Sequence, residues 1–258
     1  MNVLVSIIMP AYNAERYIAR AIDSVLQQSF SAWELIIIDD CSSDATKNII
    51  ETYQNNDKRI KPIYLSNNGG RPSIAKNFGL KRAIGKYVAF LDSDDIWMAE
   101  KLAKQVEVMQ KDSNCGLCYT GGFWIDEQGS QIKSFLPRYR SGNLFYKMLK
   151  RYELNNQSVL ITKQALLNTL GKFNETIIIG EDYNLFMHIM STYKTCSIQE
   201  YLIEYRIHSN AITKKTRRVS DGVLVTLKEL KLFQKFPIYA ILTYLKAIRF
   251  KYMKKIWK

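Results

Sequence analysis

The chain has 258 residues, 47% hydrophobic and 24% charged. That is enough apolar material for one large packed domain and excludes a disordered or fibrous chain. The net charge of +13 is unevenly placed: residues 211–258 carry 13 Lys/Arg against Asp221 and Glu229, whereas residues 1–210 carry 24 Lys/Arg against 22 Asp/Glu. The longest run free of Asp, Glu, Lys and Arg is 1–14, too short for a spanning helix.

A first strand is expected over 3–9, broken by Pro10. A helix over 15–28 follows, with Tyr17, Ile18, Ala21, Ile22, Val25 and Leu26 on one face. Residues 35–38 form a second strand. Ser42 or Ser43 can cap the next helix, which turns Ile49, Ile50 and Tyr53 inward. Residues 60–65 are a third strand. The turn-rich stretch 66–72 leads to a helix over 73–84, ended by Gly85, and 87–91 is a fourth strand. This alternation predicts a doubly wound, mostly parallel sheet flanked by helices, with right-handed crossovers. Beyond a helix at 97–111 the pattern loosens into short strands at 117–120, 124–126 and 132–135, with a turn at 127–130. A strand at 159–162, helices from 163 and 182, and strand pieces over 196–207 follow. From 219 onward the chain reads as helical, with Pro237 at a first helical position.

No secretory leader is expected, because no basic segment precedes the first apolar run and Pro10 interrupts it. The four cysteines, at 41, 115, 118 and 196, complete no zinc set and open no redox motif. Cys115 and Cys118 read as core thiols of a strand in a reducing compartment.

Two apolar runs end in carboxylates. Leu35–Ile38 leads into Asp39-Asp40, and Val88–Leu91 leads into Asp92-Ser93-Asp94-Asp95. Four-residue apolar runs suit strands covered on both faces. Crowding acids at their exits is costly unless a cation or ligand compensates. Ligands of open α/β sheets bind at the carboxyl ends of the strands. Asp92-Ser93-Asp94 can share a hard divalent cation such as Mn²⁺ or Mg²⁺, completed by substrate phosphates; alternatively it is a solvated turn or helix cap. Gly180-Glu181-Asp182 heads a helix, where Asp182 is either a cap or a general base. Arg206 and His208 share a strand face and suit phosphate oxygens. His188 reads as packing or surface. There is no G-x-G-x-x-G after the first strand, no Walker lysine and no G-x-S-x-G elbow, which excludes dinucleotide binding by that fingerprint, P-loop chemistry and the hydrolase elbow.

VSIIMPAYNAERYI, IIIDDCSSDAT, NNGGRPSIAKNFGL, YVAFLDSDDIW, GED and YRIH, in that order over about residues 3–210, resemble the family-2 glycosyltransferases of GT-A fold. The resemblance implies an inverting transferase that uses a nucleotide-diphospho-sugar, commonly a UDP-sugar. By matching position, Pro10, Ala11, Tyr12 and Glu15 line the nucleotide pocket, and Asp40 with Asp39 meets the base. The segment 68–77 flanks the nucleotide, with Asn68 and Arg71 as contacts. Asp92 lies near the ribose beside Ser93, Asp94 holds Mn²⁺ or Mg²⁺ with Asp95 adjacent, and His208 lies near the diphosphate or metal. Asp182, beside Glu181, matches the catalytic base. Lys76 stands where many relatives carry Arg, which keeps the charge and loses the bidentate fork.

Residues 1–210 are thus expected to form the transferase domain and 211–258 a basic amphipathic tail. In the tail Ile238, Ile241, Leu242, Leu245, Ile248, Tyr252 and Ile256 recur near one face. Lys246, Lys251, Lys254, Lys255 and Lys258 spread over the rest. Such helices suit an anionic membrane face; the alternatives are packing on the catalytic body, or nucleic acid, for which charge alone is insufficient. The expected partners are therefore the donor, a saccharide or lipid-linked saccharide acceptor and a membrane surface, with no nucleic acid. The expected place is the cytoplasmic face of the plasma membrane, in cell-surface polysaccharide assembly (O-antigen, capsule or lipopolysaccharide). Two rivals remain at this stage: a metal-dependent nucleotidyltransferase, and a non-catalytic scaffold of similar fold.

Overall fold

Successive residues of a strand face opposite sides of its sheet, and here both sides are apolar. Ile8, Ile36, Ile38, Val88 and Phe90 enter one buried cluster, whereas Ile7, Met9, Leu35, Ile37, Ala89 and Leu91 enter another on the opposite face. Each fully buried side chain of this kind contributes about 1.5–3 kcal/mol. The computed structural model describes residues 3–208 and 220–252.

The elements run β1 (Val5–Ala11), α1 (Ile18–Leu26), β2 (Trp33–Asp39), α2 (Thr46–Asn56), β3 (Ile60–Tyr64), α3 (Pro72–Arg82), β4 (Tyr87–Phe90), β5 (Ile96–Trp97), α4 (Lys101–Lys111), β6 (Cys115–Ile125) and β7 (Gln131–Phe135). There follow α5 (Phe145–Lys150), a 3₁₀ turn (Asn156–Ser158), β8 (Leu160–Thr162), α6 (Lys163–Leu167), α7 (Glu181–Met190), β9 (Lys194–Arg206), α8 (Ser220–Glu229), α9 (Leu232–Lys235) and α10 (Pro237–Tyr252). The sheet order is β3-β2-β1-β4-β8-β6-β9-β5, with β7 on β6. The first four strands are mutually parallel. β8 then enters antiparallel between β4 and β6.

Several sequence expectations change. β1 runs through Pro10, which is in register with Ile38. Pairing with β4 stops at Ile8, so the missing N–H of Pro10 falls where that side of the strand no longer needs a donor. Ser42 and Ser43 do not cap α2: the Ser42 hydroxyl and Ser43 N–H bond to Asn13, while Asp44 Oδ1 accepts from Thr46 N at 3.0 Å. The two strands read at 117–126 are one, because Gly121-Gly122 lets β6 continue against close neighbours; a Cβ on Gly122 would lie 2.3 Å from Ile203. Cys115 is not a free thiol but is joined to Cys196 across β6 and β9; Cys118 is a buried thiol and Cys41 an exposed one.

The carboxy-terminal helices pack on this body. Leu227 is buried in the core, and the Asn184 amide of α7 donates to Thr226 Oγ1 at 3.0 Å and Glu229 Oε2 at 2.7 Å. His188 is the second α7 partner of Glu229, at 3.0 Å. Lys254, Lys255, Ile256 and Lys258 lie outside the described residues, as do the side chains of Lys246, Ile248, Lys251 and Tyr252.

Candidate active site

Three adjacent parallel strands, β2, β1 and β4, end along one edge, and the exits of β2 and β4 carry the acidic clusters. Asp40 N donates to Ala11 O at 2.8 Å, which sets Pro10-Ala11-Tyr12 beside Asp39-Asp40. Both aspartates are buried. Asp39 Oδ1 accepts from Ser42 N at 3.3 Å, and Asp40 Oδ1 from Gly69 N at 2.7 Å. The Asn68 amide donates to Asp40 O at 3.1 Å, so the 66–70 turn closes over the second exit. Asn13 and Cys41, one just past each strand exit, adopt left-handed backbone, a conformation that non-glycine residues rarely take without compensation. Asn13 Oδ1 accepts from Ser43 N at 2.9 Å and fastens the two loops together. Tyr12 is 54% exposed at this edge, offering a ring face.

Next to β1, β4 delivers Asp92–Asp95. Asp94 Oδ2 lies 2.7 Å from His208 Nε2, joining the fourth exit to the end of β9. Asp95 Oδ1 accepts from Arg206 N at 2.7 Å, and enclosure pushes its carboxyl well above the usual range, with Asp94 and Asp92 adding to the effect. Arg206 is not aimed at a phosphate: it is 1% exposed, and its guanidinium donates to the carbonyls of Asp94, Asp126 and Glu127. It braces the acidic loop against β9. Ser93 is half-buried in this loop.

Asp182 enters from α7. Gly180 precedes this helix in left-handed backbone (φ 86°), which only glycine adopts freely. Asp182 Oδ1 accepts from its neighbour Tyr183 N at 2.7 Å, a local contact at the head of the helix, and the side chain is half-buried. Lys76, buried on α3, reaches Glu181 at 3.2 Å. Burial alone would lower its pKa; the charges of Asp92, Glu181 and Asp182 outweigh that and keep it protonated. The lysine therefore ties α7 to the β4 exit. Desolvation pushes Asp182 up to about 6, with Glu181 adding and Lys76 opposing. Asp92 is likewise raised to about 6 by desolvation, against Lys76 and with Asp94 and Glu181.

Two expected nucleotide contacts are also engaged in the scaffold. Glu15 Oε2 accepts from Ala45 N at 2.8 Å, and the Arg71 guanidinium donates to the Glu175 carbonyl. Sequence reasoning missed Gln157, whose amide donates to Asp92 Oδ2 from the 3₁₀ turn, and Tyr152, whose ring lies 4.7 Å from Tyr183. Neither stands in a periodic or charged pattern, so no local signal marks them.

Among the described residues no group of three or more His, Cys, Asp or Glu is arranged to hold a metal ion. The Asp94–His208 pair nevertheless fits a hard divalent cation. It offers one oxygen and one nitrogen, and Asp92 Oδ1 is buried without a hydrogen-bond partner among the described residues. Such ions commonly bind one or two protein ligands and complete the shell with phosphate oxygens and water.

A family model described as "Glycosyl transferase family 2" matches residues 6–169. A protein of Bacillus subtilis (strain 168), named as a teichuronic acid biosynthesis glycosyltransferase, TuaG, is 35% identical over 88% of both chains. The Escherichia coli UDP-Glc:alpha-D-GlcNAc-diphosphoundecaprenol beta-1,3-glucosyltransferase WfgD is 36% identical over 81% of this chain and 79% of its own. The crystal structure of S. aureus TarS 1-349 with UDP-GlcNAc superposes with a TM-score of 0.78 at 20% identity, covering 97% of this chain and 73% of that one. These similarities leave no support for the nucleotidyltransferase and scaffold readings. The mixed sheet is the GT-A fold, and the chain belongs to glycosyltransferase family 2.

Proposed function

We propose that the protein transfers a sugar from a nucleotide-diphosphate donor, a UDP-sugar, to a hydroxyl of a saccharide acceptor, inverting the anomeric centre. The observation that carries this reading is the convergence of Asp182 with Lys76 and Asp92 beside the Asp94–His208 pair. In the proposed arrangement Pro10, Ala11, Tyr12, Asp39, Asp40 and Asn68 receive the nucleoside, with Glu15 and Arg71 fixing the surrounding loops. Asp92 and Ser93 line the ribose and diphosphate, and Asp95 with Arg206 holds their loop in place. Asp94 and His208 would hold Mn²⁺ or Mg²⁺, which when bound neutralises developing charge on the leaving diphosphate.

Asp182 accepts the proton of the acceptor hydroxyl. The freed oxygen forms its bond to the anomeric carbon on the face opposite the diphosphate. The bond from that carbon to the diphosphate breaks, and the nucleoside diphosphate departs with the electron pair. Holding donor and acceptor in line removes much of the entropic barrier, and a positioned base contributes about 10²–10⁴-fold.

The setting we infer is bacterial cell-surface polysaccharide assembly on a lipid-linked acceptor, supported by the teichuronic acid biosynthesis in TuaG's name and the diphosphoundecaprenol-linked acceptor in WfgD's. Residues 1–210 would carry the chemistry and 211–258 the contact with the anionic cytoplasmic face of the plasma membrane. Product analysis tests the reaction. Incubation with UDP-sugars and a saccharide acceptor is expected to release UDP and give a glycoside of inverted configuration by NMR. A retained configuration, or pyrophosphate as the released product, would contradict it.

A further inference from the structure

A cleft of about 600 Å³ opens between β6 and the segments 135–138 and 151–155. Its inner wall belongs to the site described above. Tyr152 lines it and packs at a tilt, ring centroids 4.7 Å apart, against Tyr183, the residue that follows Asp182. The Tyr152 hydroxyl is buried and has no hydrogen-bond partner among the described residues. The same holds for both amide atoms of Asn156, which is 7% exposed and adjoins the lining residue Asn155. Polar atoms enclosed this way are costly unless a ligand meets them.

The outer part of the cleft has a different chemistry. Trp124 is 41% exposed and is held edge-on by Tyr205 at 5.8 Å, a fixed aromatic face of the kind that covers the C–H side of a sugar ring. Arg138 and Arg151 are exposed on the rim, and neither is in an ion pair among the described residues. The lining carboxylate Glu153 is committed to the wall: its Oε1 accepts from Tyr119 Oη at 3.0 Å and Arg138 N at 2.9 Å. Two guanidiniums are therefore available to an incoming anion, and their fork geometry matches phosphate or carboxylate oxygens. The donor's diphosphate cannot account for them, because its proposed site is the Asp94–His208 end.

We infer that this cleft is the acceptor subsite and selects a saccharide bearing an anionic group, stacked on Trp124 and gripped by Arg138 and Arg151. The inference rests on the proposed transferase reaction and names its acceptor class. The anion has two possible sources, the diphosphate of a lipid-linked sugar or the carboxylate of a uronic acid.

The test uses the full chain saturated with UDP and measures binding of three probes: N-acetylglucosamine diphosphate on a short prenyl tail, methyl glucuronide and neutral methyl glucoside. One anionic probe is expected to bind at least tenfold more tightly than the glucoside, and the tighter one identifies the source. Arg138→Gln/Arg151→Gln should abolish that preference. Trp124→Ala should weaken all saccharide probes that bind. UDP affinity and slow donor hydrolysis should stay at wild-type levels in every variant. Equal binding of anionic and neutral probes, or a preference that survives loss of both arginines, overturns the acceptor inference. Absence of UDP binding in the wild type would instead overturn the transferase reading, so the two failures are distinguishable.

Discussion

Asp182 shows how little separates a helix cap from the proposed base. It sits at the first turn of α7, where an acid is favoured by the helix dipole in any protein. What distinguishes it is the company of Glu181 and the buried Lys76, which no local pattern reveals. Its carboxyl is raised from an ordinary 3.8 to about 6, and a base works only when ionised. The active form is therefore present above that value and lost as pH falls through it. A plot of log kcat/KM is expected to be level above neutrality and to fall roughly tenfold per pH unit below about 6; a profile level two units lower would remove Asp182 from the role. Lys76, standing where the family resemblance expects Arg, reaches Glu181 with a single ammonium from a buried position, an ion pair that needs no fork.

At the scale of elements, the seating of α8 on α7 is the least tolerant contact near the site. A Cβ on Gly222 would lie 2.1 Å from Gly180 O, directly before Glu181-Asp182. Gly222→Ala should therefore destabilise the fold by about 1–3 kcal/mol, a drop of several degrees in Tm, and reduce turnover by displacing the head of α7. Unchanged melting and turnover would mean that the helices do not meet there. This contact was invisible in the sequence, where Gly222 is only a weak residue in a helical stretch. The parallel core was legible because Leu35–Ile38 and Val88–Leu91 are apolar on both faces and end in acids. By contrast, the insertion of β8 beside β4 depends on pairing between residues some seventy positions apart, such as Ala89 with Leu160. The 3₁₀ turn that carries Gln157 has no period to detect. Among candidate site residues, the acidic exits, Asp182 and His208 could be named from the sequence; Gln157, Tyr152 and the bracing role of Arg206 required the fold.

On the whole molecule, one exposed face is apolar. The stripe expected along α10 points outward: Ile238 is 71%, Ile241 47%, Leu242 53% and Leu245 54% exposed, while Ala240 and Thr243 face the body. No helix among the described residues is long and apolar enough to cross a membrane. An interfacial helix, with apolar residues in the bilayer surface and lysines near anionic headgroups, suits this pattern. Binding of the full chain to phosphatidylglycerol vesicles should drop at least tenfold in Ile241→Asp/Leu245→Asp, since each lost apolar contact removes on the order of 1 kcal/mol; undiminished binding would place the contact elsewhere. In the proposed reaction, acids from β2, β4 and α7 build a single transfer site. This is tested most directly by Asp182→Asn, with UDP affinity and sugar transfer measured on the same preparation. Retained UDP binding with transfer reduced by about 10²–10⁴-fold is expected; transfer at the wild-type rate would contradict it.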